Sequence, residues 1–329
     1  MHVVILDDYQ DCVRTLACFS SLQGHRVSVY REPAQDKQAL IARLATAQAV
    51  VLTRERTAMP AAVLERLPQL RMISCAGALP GNLDLPACTE RGIAVAQSRG
   101  TGAPTAELCW ALILASRRRL LSQAQSLREG RWQSELGQGL QGQRLGIWGY
   151  GRVGQQVARF GQVFGMRVWV WGRDGTRERA LLDGVSVANS RADFIAQSDV
   201  LSLHLSLTPE TAGSISADEL MTMKPEALLV NTARAQLLQA GALQRVLDAG
   251  RPGYLALDVF EQEPVWTAEQ PWLHHPRVLA TPHIGFVERD NYEAYFSQAF
   301  DHILRFLQGH RDQLVNPAVV PRAPVGPSA

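Results

Sequence analysis

Short apolar runs rich in β-branched residues alternate with segments of helical spacing along all 329 residues, and this alternation constrains the fold more than any other feature. HVVIL (2–6), RVSVY (26–30), AVVLT (49–53), RMISCA (71–76) and IAVAQ (93–97) form a first series. Their spacers have the length and helical pattern of β-α-β crossovers, which predicts a small doubly wound parallel sheet.

A helix expected from near Pro104 leads into a second series: RLGIWG (144–149), RVWVWG (167–172), DVLSLHL (199–205), ALLVNTA (227–233), GYLALDV (253–259) and VLATPH (278–283). Between its first two members, Val153, Val157, Phe160 and Phe164 mark one core-facing helical stripe. Tyr292, Phe296, Phe300, Ile303 and Leu307 mark another, ended by Gly309. The final NPAVVPRAPVGPSA is Pro-rich and is expected to hug the surface or fray. The predicted class is α/β, with two doubly wound parallel-sheet domains.

Composition removes several function classes. A net charge of +2 lacks the basic excess of nucleic-acid binders. The run Arg117–Arg119 is read as a solvated helix end. Five cysteines, at 12, 18, 75, 88 and 109, show no metal-ligand spacing and suit a reducing cytoplasm. MHVVILDD does not open like a signal peptide, and LCWALILA (108–115) falls far short of the roughly 20 residues that span a bilayer. A cytoplasmic protein with no metal and no membrane or nucleic-acid partner is expected.

Gly149-Tyr150-Gly151-Arg152-Val153-Gly154 directly follows one predicted strand and opens an amphipathic helix. In that context GxGxxG reads as a dinucleotide loop. Gly149 makes the turn, Gly151 admits a pyrophosphate, and Gly154 lets the helix pack closely. The helix N-terminus supplies N–H donors to the phosphates. The end of the next strand is where an NAD-binding fold places Asp or Glu against the ribose hydroxyls. Gly172 stands there, with Arg173 after it and Arg177 close behind. Loss of the acid and gain of a guanidinium favour NADP(H) over NAD(H), and an Asp placed at 172 is expected to move preference toward NADH. Asp174 keeps NAD open, because it could swing into the acid's place.

Three polar residues stand at or just beyond the ends of apolar runs: Arg234 after ALLVNTA, Glu263 shortly after YLALDVF, and His283 after VLATP. Strand carboxyl ends in a parallel sheet converge on one crevice. There a guanidinium can grip a carboxylate and polarise a ketone, an imidazole can supply the proton, and a carboxylate can orient the ring and favour imidazolium. Of eight histidines, only His283 sits between a strand and a glycine in the pattern HIG, while His204 in LSLHLSL reads as a sheet histidine.

With these motifs in hand, the chain resembles the D-isomer-specific 2-hydroxyacid dehydrogenase family over almost its whole length. The likeness rests on Gly149–Gly154, His204–Thr211, Asn231-Thr232-Ala233-Arg234, Leu257–Pro264 and Thr281-Pro282-His283-Ile284-Gly285, in the family's order. The resemblance implies Arg234 as substrate-binding and polarising residue, Glu263 as partner of His283, and His283 as acid/base. It assigns Thr208, Ala233 and Asp258 to the cofactor. Ile73–Gly77 and Asn82–Leu85 are similar to the family's substrate loop, so backbone N–H groups around Ala76 and Gly77 are expected to bind the substrate carboxylate alongside Arg234. Arg54 is placed where the family often directs an arginine toward substrate, with a solvated arginine as the competing reading.

The same resemblance implies a flavodoxin-like substrate domain, 1–101 with 287–329, a Rossmann cofactor domain at 102–286, and a homodimer joined through the latter. Ala235 and Phe286 replace usual glycines, and Phe286 is expected to add apolar bulk beside the pocket. The activity expected is hydride transfer from NAD(P)H to a small 2-oxoacid, giving a D-2-hydroxyacid. The alternative is a dinucleotide-sensing corepressor or scaffold on the same fold.

Overall fold

The computed structural model describes residues 1–267 and 270–320. The chain divides into two compact units, one of residues 1–100 with the segment from Arg289 onward, the other Thr101–Glu288.

In the first unit, β1 (His2–Ile5), β2 (Arg26–Val29), β3 (Ala49–Thr53), β4 (Met72–Ala76) and β5 (Ala94–Gln97) form one parallel sheet, ordered β2-β1-β3-β4-β5. This is the flavodoxin-like order. Every residue of β3 and β4 is buried, which explains their near-continuous apolar runs. The helix Arg289–Leu307 buries Tyr292, Phe296, Phe300 and Ile303 as its stripe predicts. At its end Phe306 turns inward, and Leu307 is left exposed. Asn316, at the start of the expected tail, is buried: its Oδ1 accepts from Val95 N and its Nδ2 donates to Ile93 O. From Pro321 the tail lies outside the described residues.

The second unit holds β6 (Arg144–Trp148), β7 (Arg167–Trp171), β8 (Ser186–Val187), β9 (Val200–Leu203), β10 (Leu228–Asn231), β11 (Tyr254–Leu257) and β12 (Val278–Ala280). They form a parallel sheet ordered β12-β11-β10-β9-β6-β7-β8, a Rossmann order with one added strand. The sequence reading missed β8, an edge strand too short to show alternation. The order reverses between β6 and β9, where a doubly wound sheet opens its crevice. The helix Ala103–Arg117 buries Cys109, Trp110, Leu112 and Ile113, so LCWALILA is a core helix.

The arginine run corrects its expectation. The helix does end there, but Arg117 is buried, donating to Glu226 O at 2.7 Å and Gln143 Oε1 at 2.5 Å. Arg119 lies 3.5 Å from the Tyr254 ring centroid. An arginine stem covers apolar surface readily, and its planar head satisfies a carbonyl at a buried corner. All five cysteines are free, and burial raises their thiols to about 11 or 12, so they are protonated at neutral pH. No described helix is long and apolar enough to cross a membrane.

Candidate active site

β6 ends at Trp148, and the chain turns at Gly149 with φ +96. A Cβ there would meet the His204 carbonyl oxygen at 2.8 Å, so only glycine fits beside the backbone that leaves β9. Gly154 lies against the Gly149 carbonyl and Ile147, which draws the helix Arg152–Val163 onto the sheet. Gly151 is different: no heavy atom lies within 4 Å of where its Cβ would stand. The helix starts there without a side-chain cap, leaving N–H groups directed at open space. This is a cradle that fits a pyrophosphate. Tyr150 is buried, Arg152 is exposed and Val153 packs against the core of the unit.

At the end of β7, Gly172 is half-buried, and exposed Arg173 caps the helix Asp174–Leu182 in extended conformation. Asp174 pairs with Arg177, whose guanidinium lies 5.2 Å from the Trp171 ring centroid. Across from Arg173, the Thr208 hydroxyl, the backbone and Arg173 itself hold the Glu210 carboxyl below its usual range, in that order. Thr208 N donates to Thr211 Oγ1 at 2.8 Å, closing the turn.

β10, β11 and β12 are neighbours, with Asn231, Leu257 and Ala280 at one level. Arg234 and His283 each follow that level by three residues, from strands roughly 10 Å apart at the usual spacing. Asn231, buried, governs the Arg234 turn. Its Oδ1 accepts from Ala233 N at 3.0 Å, and its Nδ2 donates to Arg234 O at 2.9 Å. Arg234 Nη1 donates to Ala233 O at 2.6 Å. Glu263 Oε1 accepts from Phe260 N at 2.9 Å, and its Oε2 stands 2.5 Å from His283 Nδ1. His283 has φ 52, a left-handed backbone rare outside glycine.

Asp258 holds the His283 loop in that shape. Fully buried, its Oδ1 accepts from Thr281 Oγ1 at 2.6 Å and Ile284 N at 2.9 Å, and its Oδ2 accepts from Gly285 N at 2.8 Å. Burial raises its carboxyl above the usual range despite those donors and His283. Phe286 is buried and meets the His283 ring edge-on at 5.7 Å.

In the first unit Arg54, Ala76 and Gly77 form their own group. Arg54 has φ 55 and a side chain only 17% exposed, so it is not a solvated arginine. It lies across Gly77, whose φ is +120 and whose missing Cβ would stand 2.6 Å from Arg54 Cδ. Ala76 is fully buried at the end of β4. Asp7, at φ 60 beyond β1, accepts from Thr57 Oγ1 at 2.5 Å, and Arg56 donates to its carbonyl at 2.6 Å. Strained residues thus mark the carboxyl ends of β1 and β3, where the strand order reverses.

Asp7, Arg56 and Thr176, the last of which packs against Gly172, went unremarked in the sequence. Asn231 and Asp258 stood there only as motif members, without their hold on the two loops. A buried Asn closing an apolar strand was the one local signal, since such a group needs partners.

Known proteins resemble this chain in sequence and in fold. Residues 110–285 match the family described as D-isomer specific 2-hydroxyacid dehydrogenase, NAD binding domain. The chain is 36% identical to a glyoxylate reductase of Aeropyrum pernix, over 78% of this chain and 80% of that one. It is 32% identical to a D-3-phosphoglycerate dehydrogenase of Methanocaldococcus jannaschii, over 84% of this chain but 53% of that longer protein. Among solved structures, a putative D-3-phosphoglycerate dehydrogenase from Ralstonia solanacearum superposes with TM-score 0.94 and 44% identity, covering 97% and 98% of the two chains.

Proposed function

Because the chain belongs to the D-isomer specific 2-hydroxyacid dehydrogenase family, we propose that it reduces a small 2-oxoacid to the D-2-hydroxyacid, with NADPH favoured over NADH. The observation that carries this reading is the Glu263–His283 contact of 2.5 Å, with Arg234 three residues beyond the next-but-one strand. The dinucleotide, when bound, supplies a hydride to the carbonyl carbon. Arg234 holds the substrate carboxylate and polarises the ketone through its fork of donors. With Nδ1 turned to Glu263, His283 presents Nε2 to the nascent alkoxide and gives it a proton, leaving a neutral ring. Gly149–Gly154 hold the pyrophosphate, with Asp258 at the nicotinamide end, Gly172 and Arg173 at the adenosine ribose, and Thr208 and Ala233 beside the cofactor.

Arg54 and the backbone of Ala76 and Gly77 complete the substrate assignment. Phe286, packed edge-on against His283, favours a substrate with an apolar side chain, so branched-chain 2-oxoacids belong in the panel to test. Glyoxylate and phosphohydroxypyruvate, suggested by the names of relatives, complete that panel. A cytoplasmic homodimer is part of the reading. Free thiols suit the compartment, and exposed Leu120, Leu121, Leu127, Trp132 and Leu136 give the second unit an apolar surface for self-association.

The test follows absorbance loss of NADPH and NADH across a 2-oxoacid panel, with chiral analysis of the product for every member but glyoxylate, whose product is achiral. Turnover yielding the D-isomer supports the reading. No turnover on any member, or an L-product, overturns it.

A further inference from the structure

The adenosine end of the cofactor site contains a steric relation that Gly172 alone does not reveal. Thr176 is the third residue of the helix Asp174–Leu182, held by its N–H to Arg173 O at 2.9 Å. Its side chain folds back over the end of β7. A Cβ on Gly172 would stand 2.7 Å from Thr176 Cγ2, 3.0 Å from its Cβ and 3.3 Å from its Oγ1. Gly172 is not in the left-handed region, so nothing in its own backbone demands glycine. The demand comes from Thr176.

Thr176 Cβ is fixed by the first helical turn, and a β-branched side chain in a helix has few χ1 states, so a side chain at 172 forces Thr176 to change rotamer or its turn to shift. An acid at 172 and a threonine at 176 therefore oppose one another. The threonine hydroxyl meanwhile stands beside the point from which an acid would reach the ribose. Arg173, exposed on the same turn, adds a guanidinium, whereas Arg177 is engaged by Asp174 and the Trp171 face. A hydroxyl and a guanidinium are donors suited to a phosphate.

We propose that Thr176 is a specificity-determining residue: it excludes a carboxylate from position 172 and, with Arg173, donates to the 2′-phosphate of NADP(H). This deepens the cofactor reading above and rests on it.

Four full-length proteins test it: wild type, Thr176→Ala, Gly172→Asp and the double variant, each measured for NADPH and NADH affinity by calorimetry and for Tm. Gly172→Ala, alone and with Thr176→Ala, repeats the cycle with the Cβ only, in case the aspartate variant does not fold. Thr176→Ala leaves one 3.0 Å contact, which a shift of a few tenths of an ångström relieves. The expected result is a loss of about five-fold in NADPH affinity for Thr176→Ala, the worth of roughly one hydrogen bond, with NADH unchanged. Gly172→Asp should lower Tm and weaken both dinucleotides. The double variant should recover Tm and bind NADH at least about ten-fold tighter than Gly172→Asp, because neighbours in contact do not act additively. A single Gly172→Asp that gains NADH affinity with unchanged Tm, or additive Tm effects in both cycles, overturns the exclusion. Unchanged NADPH affinity in Thr176→Ala overturns the donor role. Wild type that binds neither dinucleotide overturns the cofactor reading itself, and the Tm cycles still decide the exclusion.

Discussion

Glu263 bridges two parts of its own loop system: one carboxylate oxygen accepts the Phe260 N–H, and the other stands 2.5 Å from Nδ1 of His283. The ring is thereby fixed through one nitrogen, and in the proposed reaction the other faces the substrate. A carboxylate in this position acts on the reaction only through the histidine, and the two residues should fail in different ways.

His283→Ala should lower kcat by roughly 100- to 10,000-fold, the range of general acid catalysis, while NADPH affinity stays within about two-fold. Glu263→Gln keeps the shape and loses the charge, so a smaller fall of roughly 10- to 100-fold is expected. Steady-state kinetics beside calorimetric binding of NADPH separates the cases. Near-normal turnover in His283→Ala would remove it as the acid.

Arg234→Ala should raise KM for the 2-oxoacid by roughly 10- to 100-fold, since a charge-assisted bond to carboxylate contributes about 1.5–3 kcal/mol. Arg234→Lys should recover only part of this, because an ammonium cannot reproduce the planar fork. Saturation curves with one good 2-oxoacid provide the check, and an unchanged KM in the alanine variant refutes the grip.

Gly77→Ala meets two obstacles at once, a backbone at φ +120 and an Arg54 side chain where the methyl must go. A stability loss of roughly 1–3 kcal/mol is expected from the backbone alone. KM for substrate should rise as Arg54 is displaced, with NADPH affinity unchanged. Urea denaturation and kinetics on the same preparation test both parts. Unchanged KM would show that Arg54 does not serve the substrate.

His204 gives the protein a pH-sensitive stability. Enclosure by protein lowers its ring to about 4, against an ordinary 6.5, with Ser202 Oγ 2.9 Å from Nε2. Between these values the unfolded chain takes up a proton that the folded chain refuses, so stability falls as pH drops from 6.5 toward 4. The loss is at most about 3.5 kcal/mol, since each pH unit is worth about 1.4. Urea denaturation at pH 7, 5.5 and 4.5 should show it, and His204→Gln should flatten it. A variant with the wild-type slope would place the effect elsewhere.

What could be read in advance was whatever depends on local pattern. Strand runs such as AVVLT and MISCA are continuous because both sheet faces are covered, and Gly149–Gly154 announces itself by lying between a strand and a helix. Arg234, Glu263 and His283 were visible because strand ends converge. What depends on corners was not visible. Arg117 is buried only because Glu226 O and Gln143 come within reach from distant segments. Gly172 suggested a missing acid, but its contact with Thr176 follows from how the helix leaves β7. Asp258 named a motif, while its three acceptor bonds exist only once the next strand returns beside it.

The left-handed backbone of His283 has a bearing on engineering. A side chain with a Cβ at φ 52 is disfavoured relative to glycine by roughly 1–2 kcal/mol, so folding alone would prefer another residue there. A library sorted only for heat resistance should therefore enrich glycine or asparagine at 283 and lose turnover as it gains Tm. Any consensus or thermostability campaign on this scaffold has to keep that position out of the randomised set, together with the Asp258 and Thr281 contacts that make its conformation tolerable.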